Sequence, residues 1–373
     1  MAETRPPSSK NLVTTDWLAA RLGEPEVSIV DGSFYLPALK RDAKAEFLAA
    51  HIPGAVFFDI DAVADHSTDL PHMLPGAKQF SKEVTALGVG RDDTVVVYDG
   101  AGLGGAPRVW WTFRIFGAKN VYILDGGLPK WKAEGRPTES GAVKRTPRKF
   151  DAELNARVVA GVPDVQMALL DSTAQVVDAR PAGRFHGQDA EPRQGIRSGH
   201  MPGAKNVPVT ELIENGRLVA PDKIKERFTA GGVDLDKPII TSCGSGVTAA
   251  TLWFALDAIG LWDISGLMRS EFGVFSHEVL GRRQAHRPRL RRRVHSRRRC
   301  GGRRVLNGGG LSRSGLRLRR GRGRGGRRLR AGCGRSALGH DRGRFATLEQ
   351  GDGLTGTDAI AEALVDARDR TVR

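Results

Sequence analysis

Short runs of apolar, mostly β-branched residues alternate along this chain with longer stretches in which apolar residues recur every three or four positions. Runs of the first kind occupy residues 27–31, 94–98, 120–124, 175–178 and 238–240. Such a run is typical of a buried strand, and the longer periodicity is typical of a helix. Strands that alternate with helices predict an α/β fold with mainly parallel sheets and helices on both faces.

The order of these elements occurs twice. The segment HIPGA at 51–55 has a counterpart, HMPGA, at 200–204, an offset of 149 residues. The segment YDGAG at 98–102 has a counterpart, SCGSG, at 242–246, an offset of 144 residues. Matching segments in the same order predict two similar domains.

The repeat also divides the chain. Residues 136–160 are polar and contain two prolines, so we expect them to link the two domains. The predicted parts are a disordered lead-in at 1–9, a first α/β domain at 10–135, the linker at 136–160, a second α/β domain at 161–277, an irregular Arg/Gly-rich segment at 278–356 and a short helix at 357–373.

The loop after the strand at 238–240 holds the candidate nucleophile, Cys243. A tight strand-to-helix loop directs backbone N–H groups and the positive end of the helix dipole at one point, so we expect a lowered pKa for a thiol there. Gly244 and Gly246 are expected to provide backbone geometry that a Cβ atom would prevent. The residues alone leave open that Cys243 is a small buried side chain beside a turn.

The first domain carries Asp99 at the position that Cys243 occupies in the second. A carboxylate cannot replace a thiolate as a sulfur nucleophile. We therefore predict that the first domain is non-catalytic and contributes wall residues to a cleft between the domains.

Four groups of segments resemble parts of the rhodanese superfamily of sulfurtransferases. They are the two H-x-P-G-A segments, CGSGVTA at 243–249, FFDID at 57–61 with DLPHMLP at 69–75, and DARPAGRF at 178–185 with EPRQG at 191–195. The resemblance covers residues 10–262 and is strongest to the enzymes that act on 3-mercaptopyruvate. It implies two rhodanese-like domains, of which the second is catalytic.

The resemblance implies a persulfide mechanism. The Cys243 thiolate would take sulfur from 3-mercaptopyruvate, release pyruvate, and pass the sulfur to a small thiol, thioredoxin or cyanide. Ser245, with Asp61 and His72 behind it, would protonate the leaving enolate. On the sequence alone Asp59 is as good a candidate as Asp61. No cofactor and no metal are implied.

The resemblance also implies a substrate-binding set. Arg184 and Arg193 would hold the substrate carboxylate and carbonyl, because guanidinium pairs well with planar anions. The remaining substrate-binding positions are Gly244, Gly246, Val247 and Thr248. The residues leave open that Arg184 and Arg193 belong to a solvated ion-pair cluster. His51 and His200 precede a Pro-Gly turn in both copies, which favours a role in the fold.

Two other activities can be weighed against this interpretation. A thiosulfate sulfurtransferase meets a dianionic donor with basic residues after the cysteine, whereas Gly244 and Ser245 are neutral. A phosphatase of the cysteine type needs arginine six positions after the nucleophile, and position 249 is alanine. The sequence favours 3-mercaptopyruvate, with weak thiosulfate activity.

The net charge of +16 comes from one segment. Residues 281–345 contain 24 Arg, no Lys and one acidic residue, a net +23, so subtraction leaves −7 on the rest of the chain. This segment resembles RGG-type RNA-binding tails, and nucleic acid would be a partner only if the tail is genuine. The segment contains only one aromatic residue, Phe345. This scarcity and the composition of the segment favour an origin in GC-rich DNA that is read out of frame over a genuine RNA-binding tail.

The remaining features bear on location. Three cysteines imply no disulfide framework, and the N-terminal residues lack the apolar core of a signal peptide. No window of 18 apolar residues predicts a membrane span. We therefore expect a cytoplasmic protein.

The repeat is incomplete near its end. The first domain has DGGLPKW at 125–131, but residues 264–273 of the second domain match it only weakly. We expect the last strand and closing helix of the catalytic domain to be altered, at a cost to stability.

Overall fold

The computed structural model describes residues 9–67, 70–192 and 196–261, together with the backbone of 274–276. Arg193, the lead-in up to residue 8, and the Arg/Gly-rich segment and helix predicted at 278–373 lie outside the described residues.

The first domain alternates strands and helices as predicted. In chain order its elements are β1 (Leu12–Val13), α1 (Thr15–Ala19), β2 (Val27–Asp31), α2 (Ala43–Ala49), β3 (Val56–Phe57), α3 (Ala77–Ala86), β4 (Thr94–Tyr98), α4 (Ala106–Ile115), β5 (Asn120–Leu124) and α5 (Gly127–Ala133).

The second domain follows the same plan. Its elements are α6 (Val162–Asp171), β6 (Gln175–Asp178), α7 (Ala182–Phe185), β7 (Lys205–Asn206), β8 (Ile213–Glu214), β9 (Arg217–Leu218), α8 (Pro221–Ala230), β10 (Ile239–Cys243), α9 (Val247–Ala258) and β11 (Val274–Ser276).

Both main sheets are parallel. The first has the strand order β1-β5-β4-β2-β3, and the second has the order β11-β10-β6-β7, which repeats the arrangement of β5, β4, β2 and β3. Strands β8 and β9 form a separate antiparallel hairpin. The predicted α/β fold with two similar domains is confirmed.

Strand β4 shows why its sequence is apolar throughout. Val95 and Val97 pack with α3 and α4, whereas Val96 and Tyr98 enter the core formed with α1, α2 and α5. Successive side chains of a strand point to opposite faces, so a strand covered on both faces needs apolar residues at every position.

The histidine of the repeated H-x-P-G-A segment makes matching contacts in both domains. Nδ1 of His51 lies 2.8 Å from the carbonyl oxygen of Phe47, and the two rings stack at 4.1 Å. Nδ1 of His200 lies 2.8 Å from the carbonyl oxygen of Phe185, with the rings stacked at 3.8 Å. These contacts fit the fold role that the sequence favoured for both histidines.

The linker at 136–160 is part of the first domain's packing. The buried ring of Phe150 meets the ring of Phe80 edge-on at 5.5 Å. The backbone N–H of Phe150 donates to the hydroxyl of Thr85 on α3. The linker therefore runs along α3, and its few apolar residues fix its course.

Helices α4 and α9 join the two domains. Trp110 of α4 meets the rings of Trp253 and Phe254 of α9 edge-on, at 5.4 and 4.9 Å between centroids. All three side chains are buried. Each helix packs on its own sheet and on the other helix, so both are buried on nearly every side.

The β8–β9 hairpin makes a second contact between the domains. The Arg217 guanidinium pairs with both carboxylate oxygens of Asp125, the closest at 2.6 Å. Beside this pair, a Cβ atom on Gly102 would lie 2.3 Å from the carbonyl oxygen of Gly216. The close approach explains glycine at position 102, whose φ of +100° also favours glycine.

Candidate active site

Cys243 is the last residue of β10 and is 2 % exposed. The backbone N–H of Gly246 donates to its Sγ over 3.0 Å. Gly246 is the N-cap of α9 and has a φ of +81°, so the chain turns sharply between the strand and the helix. The sulfur therefore lies at the helix N-terminus, where a negative charge is stabilised.

The two glycines of this loop differ. The positive φ of Gly246 agrees with the expectation that a Cβ atom would be strained there. For Gly244 the expectation was wrong, because its φ is not positive and, among the described residues, an added Cβ would meet only Nη2 of Arg184, at an ordinary 3.5 Å. In the same loop Ser245 and Thr248 are partly exposed, and Val247 is buried.

The register of the sheets relates Cys243 to Asp99. Asp31 lies opposite Tyr98 in the first sheet, and Asp178 lies opposite Ser242 in the second. The next residues, Asp99 and Cys243, therefore occupy equivalent strand ends, as the offset of 144 predicted.

The loops that follow these strand ends are not equivalent. Helix α4 begins seven residues after Asp99, whereas α9 begins four residues after Cys243. The Asp99 carboxylate accepts N–H bonds from Ala101, Gly104 and Ala106, at 2.7 to 2.8 Å. The first-domain loop is thus filled by its own carboxylate, which agrees with the predicted non-catalytic role.

Asp61 and His72 lie together. Nδ1 of His72 is 2.8 Å from Oδ1 of Asp61, and the ring meets Phe34 edge-on at 4.9 Å. His72 is buried and has a φ of +54°, a strained conformation for a residue other than glycine. Asp59 accepts the backbone N–H bonds of Asp61 and Ala62, which is a structural role. The geometry therefore favours Asp61 over Asp59.

Arg184 lies beside the cysteine loop and is also part of an ion-pair cluster. Its guanidinium is close to Gly244 and pairs with the buried Glu191. Glu191 also pairs with Arg180 at 2.7 Å, and Arg180 pairs with Asp178 at the end of β6. The two sequence interpretations of Arg184 are thus compatible, since the cluster holds the guanidinium beside the loop.

The sequence interpretation missed Arg108, in the first turn of α4. Its Nη2 donates to the carbonyl oxygen of His72 over 2.8 Å, and its Nη1 donates to the carbonyl oxygen of Gly246 over 3.2 Å. Burial lowers the pKa of Arg108 to about 10, and the nearby charge of Cys243 opposes that shift. The sequence signal for it was weak: Arg108 is an arginine in a mainly apolar helix, but Arg114 of the same helix shares that feature.

Other kinds of site receive no support from the described residues. Among them, no three His, Cys, Asp or Glu side chains are grouped as metal ligands. No helix in this part of the chain has the length and hydropathy to cross a membrane. A cavity of about 390 Å³ lies between α6 and the linker, with Met167 and Ile240 in its wall, and none of the predicted site residues lines it.

Comparison with known families matches the two domains separately. The model of the rhodanese-like domain matches residues 14–134 and again residues 163–270.

Curated relatives cover the same part of the chain. The 3-mercaptopyruvate sulfurtransferase of Escherichia coli strain K12 is 47 % identical over 245 residues, which are 65 % of this chain and 87 % of the relative. The human protein of that name is 43 % identical over 251 residues, 65 % of this chain and 84 % of the relative. The thiosulfate/3-mercaptopyruvate sulfurtransferase 1 of Arabidopsis thaliana is 40 % identical over 279 residues, 69 % and 74 % of the two chains.

A solved structure has a similar fold over the same part of the chain. The crystal structure of SseA from Escherichia coli, a 3-mercaptopyruvate sulfotransferase with the rhodanese fold, superimposes with a TM-score of 0.65 and 42 % sequence identity. The match covers 71 % of this chain and 98 % of that one.

Proposed function

This chain belongs to the rhodanese-like family, and we propose that it is a 3-mercaptopyruvate sulfurtransferase in which Cys243 carries the transferred sulfur. The observation that carries the proposal is the position of Cys243. It ends a buried strand, accepts the Gly246 N–H and precedes a helix N-terminus. Asp61 and His72 come from the first domain and Arg184 from the second.

The first half-reaction loads the cysteine. The Cys243 thiolate attacks the sulfur of 3-mercaptopyruvate, and an S–S bond forms while the C–S bond breaks. The electron pair of the broken bond passes to carbon as the enolate of pyruvate. Cys243 is left as a persulfide, whose negative charge is stabilised by the Gly246 N–H and the dipole of α9.

The enolate carbon then needs a proton. Ser245, two residues after the nucleophile and partly exposed, delivers it. The Asp61–His72 pair supports that transfer from the first domain. Protonation gives pyruvate and makes the first half-reaction irreversible in practice, because the enolate no longer attacks the persulfide.

Substrate binding uses the second domain. The Arg184 guanidinium, held by Glu191, binds the carboxylate of the substrate, and Arg193 binds its carbonyl. The loop residues Gly244, Gly246, Val247 and Thr248 enclose the reacting sulfur.

The second half-reaction unloads the cysteine. A thiolate acceptor attacks the outer sulfur of the persulfide, a new S–S bond forms, and Cys243 leaves as the thiolate. Small thiols and thioredoxin are acceptors of this chemistry, and cyanide takes the same sulfur to give thiocyanate.

The test measures sulfur transfer directly. The full chain and Cys243→Ser are assayed for pyruvate release from 3-mercaptopyruvate, and mass spectrometry follows the gain of about 32 Da expected for a persulfide on Cys243. The proposal expects pyruvate and the mass gain only for the wild type. Equal pyruvate release by Cys243→Ser would overturn it.

The sulfur donor is tested in the same assay. Gly244 and Ser245 give the loop no positive side chain for a dianion such as thiosulfate. We expect a higher kcat/KM with 3-mercaptopyruvate than with thiosulfate, and the reverse preference would assign the chain to thiosulfate transfer.

A further inference from the structure

Arg108 differs from the other buried or partly buried arginines around the cysteine loop and the hairpin. Arg180, Arg184 and Arg217 each pair with a buried Asp or Glu. Arg108 donates to two backbone carbonyls and lies 5.0 Å from the ring centre of Trp111. No carboxylate of the described chain lies within ion-pair distance of its guanidinium. A buried cation without a counter-ion is costly, so an anion is expected beside it.

The loop that Arg108 binds carries the Cys243 sulfur, whose thiolate or persulfide form would be such an anion. Arg108 donates to the carbonyl oxygen of Gly246, and the N–H of the same residue donates to Sγ of Cys243. The charge of Cys243 is the one that favours the charged form of Arg108. With a pKa of about 10, Arg108 is protonated at neutral pH and balances the thiolate or the persulfide.

The two hydrogen bonds of Arg108 also join the domains. One goes to the carbonyl of His72 in the first domain, and the other goes to the N-cap of α9 in the second. A guanidinium can hold two acceptors at once in a fixed fork, which the single ammonium of lysine cannot reproduce.

We propose that Arg108, contributed by the non-catalytic domain, is the positioning residue that holds Cys243 as an anion and fixes its loop against the Asp61–His72 pair. The part that concerns His72 rests on the function proposed above, whereas the part that concerns the anion does not.

Other charged groups near the loop have their own partners. On the elements around Cys243 these are Glu191 with Arg180 and Arg184, Asp178 with Arg180, Asp61 with His72, and Asp257 with Asn11 at the far end of α9. Removal of Arg108 therefore changes the charge balance of Cys243 in a way that these groups do not compensate.

The experiment separates charge from geometry with two variants of the full chain. Arg108→Met removes the charge, and Arg108→Lys keeps the charge but loses the fork. The first measurement is the pH midpoint of Cys243 alkylation by iodoacetamide, followed by mass spectrometry. The second is the rate of pyruvate release in a single turnover, with circular dichroism as the check on folding. Arg114→Met, on the same helix, is the control.

For Arg108→Met we expect the alkylation midpoint to rise by about one pH unit, because a neighbouring positive charge is lost. We expect its single-turnover rate at pH 7 to fall at least about tenfold. For Arg108→Lys we expect a midpoint within about 0.5 unit of the wild type, since the charge remains, but again a roughly tenfold slower turnover.

Each outcome tests one of the two roles proposed for Arg108. An unchanged midpoint in a folded Arg108→Met protein overturns the anion-holding role, and wild-type turnover by Arg108→Lys overturns the bridging role. If Arg108→Met does not fold, the turnover of Arg108→Lys decides alone. Alkylation needs no 3-mercaptopyruvate, so a wild type that releases no pyruvate would contradict the proposed function and leave the midpoint test intact.

Discussion

Nδ1 of His72 lies 2.8 Å from a carboxylate oxygen of Asp61, although the two side chains differ strongly in exposure. The imidazole is buried, whereas the Asp61 side chain is 66 % exposed. The pair thus presents its carboxylate to solvent and its ring to the protein interior. The left-handed backbone of His72 is held by Arg108, which donates a hydrogen bond to the carbonyl oxygen of the same residue.

The Asp61–His72 pair is expected to matter for chemistry more than for folding. Asp61→Asn and His72→Asn should each lower the single-turnover rate of pyruvate release, Asp61→Asn by roughly 100-fold, which is the usual contribution of an acid–base group. The control is Asp65→Asn, which removes a nearby carboxylate that accepts hydrogen bonds from the backbone N–H and the hydroxyl of Ser67. A wild-type rate for both site variants would exclude the pair from proton transfer.

Arg184 is expected to act in substrate binding. Arg184→Gln removes a charge-assisted bond to the substrate carboxylate and should raise KM for 3-mercaptopyruvate at least about tenfold, with a smaller change in kcat. Arg227→Gln is the matched control, because this exposed arginine pairs with the exposed Glu211. If KM stayed the same in Arg184→Gln, the guanidinium would belong to the ion-pair cluster alone.

Features that depend on local pattern could be predicted from the sequence. The apolar runs placed the strands, and the offset of 144 residues placed Asp99 and Cys243 at equivalent strand ends, which the sheet registers bear out. The H-x-P-G-A repeat was expected to serve the fold because it occurs in both copies, and the matching contacts of His51 and His200 agree with that role.

Features that depend on contacts between distant segments could not be predicted from the sequence. The hydrogen bonds that Arg108 donates reach residues that lie 36 and 138 positions away along the sequence. No spacing rule connects residues so far apart. Phe150 sits in a segment whose polarity predicted a simple linker, yet one aromatic ring is enough to dock it on the first domain. The expectation for Gly244 failed because glycine is needed there neither for φ nor for space.

The Arg217–Asp125 pair is expected to stabilise the two domains as one unit. Both side chains are largely buried, and Arg217→Met would leave the Asp125 carboxylate without this partner. We expect a loss of about 3 kcal/mol in the free energy of unfolding, measured with urea. Arg227→Met, which breaks an exposed pair, should change it by less than about 1 kcal/mol. Equal effects of the two substitutions would contradict a special role for the hairpin contact.

Asp31 is expected to make the stability depend on pH. Burial, with a smaller effect from the charge of Asp99, raises the pKa of Asp31 from 3.8 to about 6. The folded protein therefore holds this proton more tightly than the unfolded chain. The resulting stabilisation is fully present below pH 4 and is lost as the pH rises through about 6.

The substitution Asp31→Asn would keep the acceptor for the Ser33 N–H without the charge. Relative to this variant, the wild type should therefore lose about 2.5 kcal/mol of unfolding free energy between pH 4 and pH 7. Urea unfolding of both proteins at four pH values measures this difference. The contributions of the other carboxylates cancel, because both proteins contain them. Asp171→Asn, at an exposed position, should follow the wild type throughout. Parallel curves for Asp31→Asn and the wild type would show that the Asp31 carboxyl ionises equally in the folded and unfolded states.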